Sequence, residues 1–203
     1  MQIILATNNR HKIVEFTQAL RDFDHQVLSL SDFPEVGEIN ETGATLLENS
    51  LLKARMVNKL TGIPAIADDT GLEVDALNGA PGVYSARWAG IGATYVDNNR
   101  RLLTELSHIP EEKRTARFRC IISYVDEKLE LWTEGIVEGV ILKQQRGTGG
   151  FGYDPVFFVP ELEKTLAQLS TEEKNCISHR GLAILNFSKL FRDKIQPKYK
   201  LKE

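Results

Sequence analysis

Apolar residues recur along this chain in two alternating patterns, one typical of short buried strands and one typical of amphipathic helices. The apolar run Gln2–Ala6 predicts a buried strand at the start of the chain. Apolar positions at helical spacing then predict a helix that begins after Asn8 and Asn9, whose side chains can cap it. The same patterns predict a strand over 25–30, an acidic loop over 31–43 and a helix over 45–60.

A long hairpin interrupts this alternation in the second half of the chain. Ala65–Ala67 predicts a short strand that runs straight into an acidic pair, and a loop-rich stretch follows over 79–92. The remaining patterns predict a helix over 94–106, antiparallel strands over 117–126 and 129–142, a glycine-rich loop over 147–155, a helix capped by Ser170–Glu173 and a last helix over 180–193. We therefore expect an α/β fold with a mixed sheet, in which one domain of two lobes spans 1–203 and ends in a loose tail over 194–203.

Composition and charge exclude several classes of protein. The 203 residues are 42% hydrophobic, which allows a sizeable core, and the net charge of −3 argues against a broad nucleic-acid surface but not against a local basic pocket. The two cysteines, Cys120 and Cys176, lack the spacing of a disulfide framework or a zinc site. No apolar run approaches the ~20 residues of a membrane span, and the first apolar run lacks the basic flank of a signal peptide. We expect a cytoplasmic protein with no membrane or nucleic-acid partner.

The segment Thr7–Lys12 is a candidate phosphate site, because it lies where a predicted strand ends and a helix begins. Helix N-termini present unpaired N–H groups and the positive end of a dipole, and Lys12 adds a charge on the first turn. The alternative is a well-capped helix with a solvated lysine.

Acidic residues cluster at three points that could share one metal ion. Asp68 and Asp69 follow the apolar strand at 65–67, and adjacent carboxylates leaving a strand are a frequent Mg²⁺ site. Glu41 closes the acidic loop, and Lys53 on the next helix could face phosphates. The alternatives are a polar turn for the acidic pair and an ordinary charged helix surface for Lys53.

Two further segments carry aromatic and hydrogen-bond-donating side chains. Gly147–Pro155 contains a G-x-G-x-x-G match, but Pro155 and a β-rich run follow it, so no helix opens and a dinucleotide site is excluded. Its Phe, Tyr and Asp residues could instead hold a flat ring, or the aromatics could simply fill the core. The segment from Lys174 to Gly181 is rich in donors, or else is a charged turn between helices.

In this order along the chain, these segments resemble the inosine triphosphate pyrophosphatase family over about residues 2–191. Each segment alone is weakly specific, whereas the ordered set is highly specific. The residues that carry the resemblance are Ala6-Thr7-Asn8-Asn9 with Lys12, Glu41-Thr42-Gly43, Glu48-Asn49, Lys53-Ala54, Ala67-Asp68-Asp69-Thr70-Gly71-Leu72, Gly79-Ala80-Pro81-Gly82-Val83-Tyr84-Ser85-Ala86-Arg87, Phe151-Gly152-Tyr153-Asp154-Pro155 and Ser178-His179-Arg180-Gly181. Asn8 replaces a glycine found in many relatives, and Tyr153 replaces a frequent Trp.

The resemblance implies an elongated mixed sheet with flanking helices, two lobes around a central cleft, and a homodimer. It implies a Mg²⁺-dependent enzyme that hydrolyses non-standard purine nucleoside triphosphates (dITP, ITP and XTP) to the monophosphate and pyrophosphate, removing them from the nucleotide pool. For the metal it implies Glu41, Asp68 and Asp69, with Asp69 also orienting or deprotonating the attacking water. For substrate it implies Thr7, Asn8, Asn9, Arg10, His11, Lys12, Lys53, Thr70, Phe151, Gly152, Tyr153, Asp154, Lys174, Ser178, His179 and Arg180.

The chemistry of phosphoanhydride hydrolysis agrees with this set of residues. The reaction needs charge neutralisation and a positioned water more than a covalent nucleophile, and the chain offers no activated Cys or Ser. Two other interpretations are a pyrophosphatase for modified pyrimidine nucleotides and a nucleotide-sensing protein without catalysis. Three acids in a polyanion site argue against the second of these unless a metal lies among them.

For recognition of the purine base, the resemblance implies that Phe151 or Tyr153 stacks on the ring, and that Asp154 either holds the site in register or reads N1–H itself.

Overall fold

The fold is a seven-stranded mixed sheet with flanking helices, as the sequence predicts. The structure is a computed structural model, and it describes residues 1–21 and 25–197. The strand order across the sheet is β2-β1-β3-β4-β5-β6-β7. The strands are β1 Gln2–Leu5, β2 Gln26–Ser29, β3 Ala65–Val74, β4 Thr115–Val125, β5 Glu130–Ile141, β6 Phe157–Val159 and β7 Lys164–Thr165. The helices are α1 Arg10–Leu20, α2 Leu46–Thr61, α3 Tyr95–Glu105, α4 Thr171–Ile177 and α5 His179–Leu190.

The described residues divide into two compact units, and three strands contribute residues to both. The first unit comprises the described residues within Met1–Asp69, Cys120–Gly135 and Leu182–Glu203, and the second comprises Thr70–Arg119 and Ile136–Gly181. The expectation of two lobes around a central cleft stays a prediction.

Parallel strands form the centre of the first unit. Strand β1 pairs in parallel with β2 on one side and with β3 on the other. Strands covered on both faces read as continuous apolar runs, and β1 is such a strand. Ile3 and Leu5 face a core that α1 and α5 complete with Phe16 and Phe187. The intervening Ile4 packs in a second core on the opposite face, with Ala54 and Val57 of α2.

Side-chain caps define the N-termini of three helices. Thr45 and Glu48 form a capping box at the start of α2, and Gly62 ends that helix in a left-handed conformation with φ of 69°. Capping boxes also begin α3 (Thr94 with Asp97) and α4 (Ser170 with Glu173), the second of which the sequence predicts. These caps satisfy backbone N–H groups that have no partner within the helix.

The predicted hairpin is present as β4 and β5. The backbone N–H of Asp126 donates to the carbonyl of Leu129 at 2.9 Å, which closes the turn between the two strands. In the second unit, β5 pairs antiparallel with β6, and β6 pairs antiparallel with β7. No helix within the described residues is both long and apolar enough to cross a membrane.

Strand β3 is longer than the sequence predicts, and this corrects the placement of the acidic pair. Asp68 and Asp69 lie in the middle of the ten-residue strand Ala65–Val74, not after its end. Leu72 and Val74 are fully buried beyond them, so the extended chain still gains burial past the two acids. The carboxylates therefore sit on a rigid strand and not on a turn.

The C-terminal segment also differs from the prediction. A π-helical turn, Phe191–Ile195, follows α5, and Ile195 is fully buried in the first unit's core. The expected loose tail over 194–203 is therefore wrong for Ile195, because its apolar side chain has a core to join. Residues 198–203 lie outside the described residues. Short 3₁₀ turns occupy Leu30–Asp32, Pro34–Val36 and Gly82–Arg87, where the sequence predicts loops, except at Leu30, where it predicts the end of the strand over 25–30.

Helix α5 offers a direct test of this packing, because Phe187 is buried and Leu185 on the same helix is 53% exposed. Phe187→Ala should lower the free energy of unfolding by about 3–5 kcal/mol, since it leaves a cavity in the core. Leu185→Ala is the matched control and should change it by no more than about 0.5 kcal/mol. Urea unfolding measures both values, and equal small effects would contradict the assigned orientation of α5.

Candidate active site

An open pocket of about 420 Å³ lies beside the end of β1, in the first unit. Asn9 caps α1: its Oδ1 accepts the Lys12 backbone N–H at 3.4 Å, and its own N–H donates to Thr7 Oγ1 at 3.2 Å. The cap orders the loop between β1 and α1, which lies at a helix N-terminus, a place where backbone N–H groups commonly bind an anion. The pocket is lined by Ala6, Thr7, Asn8, Leu30, Gly37, Glu38, Ile39 and Lys53. The predicted substrate contacts of the Arg10 and His11 side chains lie outside the part of the chain that the structure describes.

A cluster of two lysines and three acids lies in the same unit. Lys53 Nζ is 2.6 Å from Glu41 Oε1 and 3.2 Å from Asp69 Oδ1, so one ammonium joins the two carboxylates. Asp68 is buried at 3% exposure, and its Oδ2 is 2.7 Å from Lys12 Nζ. The structure therefore brings Glu41 and Asp69 together, whereas the carboxylate of Asp68, expected as a metal ligand, lies against Lys12.

Burial and mutual attraction shift the pKa values in this cluster. Burial raises the pKa of the Asp69 carboxyl above its usual range, and attraction to the Lys53 ammonium only partly opposes that shift. Burial lowers the pKa of Lys53, but attraction to Asp69, Asp68 and Glu41 outweighs it, and the net shift is upward. Lys53 thus stays charged, while Asp69 holds a proton more readily than an exposed aspartate.

The carboxylates of Glu41 and Asp69 fit a divalent cation. Their oxygens already converge on one cationic group, the Lys53 ammonium. Among the described residues no group of three or more His, Cys, Asp or Glu could hold a metal on its own. Mg²⁺ is commonly bound by one or two carboxylates together with substrate phosphates, and this donor set matches that mode.

The glycine-rich loop and the donor-rich segment form a second cluster, within the second unit. Phe151 presents a half-exposed ring, with Lys174 Nζ 4.4 Å and the Arg180 guanidinium carbon 5.8 Å from the ring centroid. Asp154 is buried, and its Oδ2 accepts the Phe151 backbone N–H at 2.8 Å as well as a hydrogen bond from Lys174. This carboxylate therefore holds the loop and Lys174 together. Gly150 must be glycine, because a Cβ there would overlap the Asp154 carboxylate.

The two aromatic residues of this loop have different environments. Tyr153 is 4% exposed, and its hydroxyl donates to the Ser85 carbonyl at 2.9 Å. Burial raises the pKa of this phenol, so it remains a neutral donor. Of these two rings, that of Phe151 is the exposed one and can stack on a planar ligand.

The segment Ser178–Arg180 begins α5 and is buried throughout. Ser178 Oγ accepts the Gly181 backbone N–H at 3.1 Å, which fixes the turn into the helix. The His179 ring stacks on Phe118 with centroids 4.7 Å apart and an interplanar angle of 18°. Thr70, also in the second unit, has a buried Oγ1 without a hydrogen-bond partner in the part of the chain that the structure describes.

Sequence reasoning missed several residues that hold this second cluster in place. Buried Asn99 of α3 donates to the Gly152 carbonyl at 2.7 Å, and Phe118 supports His179. Asn99 stands in a polar helix, where a buried amide looks like a solvated one. Phe118 lies in an apolar strand, so its pattern predicts only core packing.

Comparison with known proteins identifies the family. The Ham1 family model matches residues 3–190, and this chain belongs to that family. A dITP/XTP pyrophosphatase of Desulforamulus reducens is 49% identical over 185 residues, covering 91% of this chain and 92% of that protein. The dITP/XTP pyrophosphatase of Thermoanaerobacter pseudethanolicus is 48% identical over 98% of this chain and 100% of its own length.

Solved structures support the same fold. A HAM1 protein from Coxiella burnetii superposes with a TM-score of 0.91 at 41% identity, covering 95% of this chain and 99% of that one. A nucleoside-triphosphatase, dITP/XTP pyrophosphatase, from Mycobacterium abscessus gives a TM-score of 0.82 at 42% identity, over 92% and 98% of the two chains. The predicted family and α/β fold are confirmed.

The charge cluster gives a testable pKa. Lys53→Met removes the attraction that opposes the burial of Asp69, so the pKa of the Asp69 carboxyl should rise further above its wild-type value. A carbon-13 NMR titration of the carboxyl carbon in the metal-free protein measures this change. Lys12→Met removes the partner of Asp68 instead and should shift Asp69 less. An unchanged or lower pKa in the Lys53 variant would contradict the assigned contact.

Proposed function

We propose that this chain hydrolyses the non-standard purine nucleoside triphosphates dITP, ITP and XTP to the nucleoside monophosphate and pyrophosphate. The observation that carries the proposal is the convergence of Glu41 and Asp69 on Lys53, in the unit that also contains the pocket at the start of α1. The names of the two bacterial relatives at 48–49% identity support the same substrate class.

The triphosphate is bound by groups of the first unit. The loop Thr7–Asn9 and the first turn of α1 present backbone N–H groups at the positive end of a helix dipole. Lys12 and Lys53 supply two positive charges. Each lysine is paired with a carboxylate, so substrate phosphates compete for ammonium groups that are already held in place.

Glu41 and Asp69 are the residues that would hold Mg²⁺. When bound, the ion neutralises charge that develops on the phosphate oxygens. Asp69 also orients the attacking water and accepts its proton. Burial favours this task because it raises the pKa of the carboxyl toward the working pH of the enzyme. The rigid strand β3 fixes the position of this base.

The base is recognised by groups of the second unit. Phe151 stacks on the purine, and donors from the His179–Arg180 segment meet the C6 carbonyl that hypoxanthine and xanthine share. Asp154 holds the loop in register, because its Oδ2 already accepts two hydrogen bonds within the protein. Adenine has an amino group at C6, so the same donors would be left unpaired.

We also propose that the protein forms a homodimer and is located in the cytoplasm, as the sequence predicts. Sedimentation equilibrium at several protein concentrations gives the oligomeric state directly.

The products test the reaction itself. Incubation with ITP and Mg²⁺ should release pyrophosphate and IMP, because the water attacks the α-phosphorus. Phosphorus-31 NMR distinguishes these products from orthophosphate and IDP. A panel with dITP, XTP, ATP and modified pyrimidine triphosphates tests the substrate class. Release of orthophosphate first, or preference for a pyrimidine, would contradict the proposal.

Asp69→Asn should lower kcat on the order of 10² to 10⁴-fold, because an amide neither accepts the proton nor carries charge for the metal. The control Asp75→Asn alters an acid 45% exposed in its side chain, which pairs with Arg117 at 3.0 Å. That variant should retain normal turnover. Stopped assays on both variants, with circular dichroism to establish folding, make the comparison. Near-normal turnover of a folded Asp69→Asn protein would remove this residue from the mechanism.

Arg180→Ala should reduce kcat/KM for ITP far more than for ATP. The guanidinium has only hydrogen-bond donors, which pair with the C6 carbonyl of hypoxanthine and not with the C6 amino group of adenine. Arg100→Ala is the matched control: its side chain is 73% exposed and pairs only loosely with Asp97 at 3.4 Å. The control should leave the ITP-to-ATP ratio unchanged. If the Arg180 variant also kept the wild-type ratio, Arg180 would not read the base.

A further inference from the structure

Helix α2 carries buried polar residues that hold the backbone near Glu41 and Asp69, the two carboxylates that contact Lys53, and the proposed reaction does not itself use these residues. Asn49 and Ser50 are both fully buried in the second turn of this helix, in the first unit. Lys53 follows them by four and three residues, so all three side chains lie on one side of α2. Burying a polar side chain costs desolvation free energy unless the side chain is hydrogen-bonded, so the partners of these two residues show what they hold.

Asn49 fixes the loop that carries Glu41. Its Oδ1 accepts the backbone N–H of Gly43, two residues after Glu41, at 2.7 Å. The approach is so close that a Cβ on Gly43 would lie 2.7 Å from that oxygen and from Glu48 Cβ. The same stretch is held again where Glu48 Oε2 accepts the Ala44 N–H at 2.6 Å. The backbone beside Glu41 is therefore attached to the start of α2.

Ser50 fixes the strand that carries Asp69. Its Oγ donates to the Ala67 carbonyl, two residues before Asp69, at 3.0 Å in a buried environment. Each carboxylate that contacts Lys53 thus lies two residues from a backbone group that α2 holds. One helix sets the separation between a loop and a strand that are distant in sequence.

The buried position of Asn49 is not explained by a gain in the stability of the fold. Its Nδ2 is buried without a hydrogen-bond partner among the residues described, so the side chain fulfils its acceptor role while its donor role is unmet. An unmet buried donor lowers the stability of the folded state. The one side-chain hydrogen bond that Asn49 makes within the described part of the chain therefore acts on the backbone beside Glu41.

We propose that Asn49 and Ser50 are positioning residues that hold Glu41 and Asp69 at the separation needed to bind one divalent cation. The inference rests on the proposed function for the presence of that cation. Partners that orient metal ligands typically change metal affinity about 10- to 100-fold when removed. They do so without touching the ion.

The test measures Mn²⁺ binding to the full chain without nucleotide, by electron paramagnetic resonance of the free ion. Asn49→Ala should raise the Mn²⁺ dissociation constant about tenfold or more, and Ser50→Ala should raise it in the same direction. Asn98→Ala is the matched control, because Asn98 is equally buried and accepts the Ala89 N–H at 2.7 Å, but belongs to the second unit. It should bind Mn²⁺ as the wild type does. If Asn49→Ala does not fold, Ser50→Ala, which removes only a hydroxyl, carries the test.

A double-mutant cycle separates positioning from general structural support. Glu41→Gln should weaken Mn²⁺ binding strongly in the wild type but much less in the Asn49→Ala background, because Glu41 is no longer held there. The same relation is expected between Asp69→Asn and Ser50→Ala. Additive effects, or an Asn98→Ala loss equal to that of Asn49→Ala, would overturn the positioning role.

The failure of this inference is distinguishable from the failure of the proposed function. Wild-type protein that binds Mn²⁺ through Glu41, with Asn49→Ala and Ser50→Ala binding equally well, overturns the inference alone. Wild-type protein whose Mn²⁺ binding does not depend on Glu41 or Asp69 overturns the metal assignment and the inference together.

Discussion

The burial of two adjacent aspartates within one strand is the constraint on which the rest of the site depends. A carboxylate removed from water costs several kcal/mol unless it is paired and hydrogen-bonded. Asp68 and Asp69 point into the first unit from β3, and each has its own lysine, Lys12 from α1 and Lys53 from α2. Apolar cores pack α1 and α2 against β3, and the acidic pair requires that each of these helices supply a lysine.

This charge balance makes the site ready for a polyanion. Each lysine is held by a carboxylate, so its side chain is already ordered when phosphate arrives. The pocket lies at the carboxyl end of β1 and the start of α1, the edge of a parallel sheet where phosphate groups commonly bind. A divalent cation between Glu41 and Asp69 would free Lys53 for the substrate. The same acids can thus hold the lysine when no metal is bound and hold the metal once it binds.

Much of this architecture could be predicted from the sequence, because local signals and burial agree. Three predicted elements are present in the structure. An apolar run predicts β1, apolar residues at helical spacing predict α2, and a capping box at Ser170 predicts the start of α4. The acidic pair misled the prediction for β3, since adjacent aspartates normally mark a turn and only tertiary partners make them tolerable inside a strand. The buried Ile195 was missed for a related reason, because its charged neighbours resemble a tail.

For the candidate site, the sequence predicts Glu41, Asp69 and Lys53, which the structure brings together, but it does not predict the contacts that each residue makes. The sequence shows only that Asp154 follows aromatic residues along the chain. The structure shows that its Oδ2 already accepts hydrogen bonds from the Phe151 backbone N–H and from Lys174. No structural role could be predicted for Asn49, Ser50 and Asn99, because a buried amide or hydroxyl on a helix has the same letter as a solvated one. Their partners are backbone atoms, which leave no mark in residue identity.

We expect Lys53 to leave its place between Glu41 and Asp69 when a metal ion binds there, and to contact the substrate instead. Crystals of the full chain grown with Mn²⁺ and an α,β-imido analogue of ITP, which resists cleavage, would test this through the anomalous scattering of the metal. We expect a single Mn²⁺ bound by Glu41, Asp69 and phosphate oxygens, with Lys53 moved onto the triphosphate. A bound analogue with Mn²⁺ held elsewhere, and Lys53 still joining the two carboxylates, would contradict it.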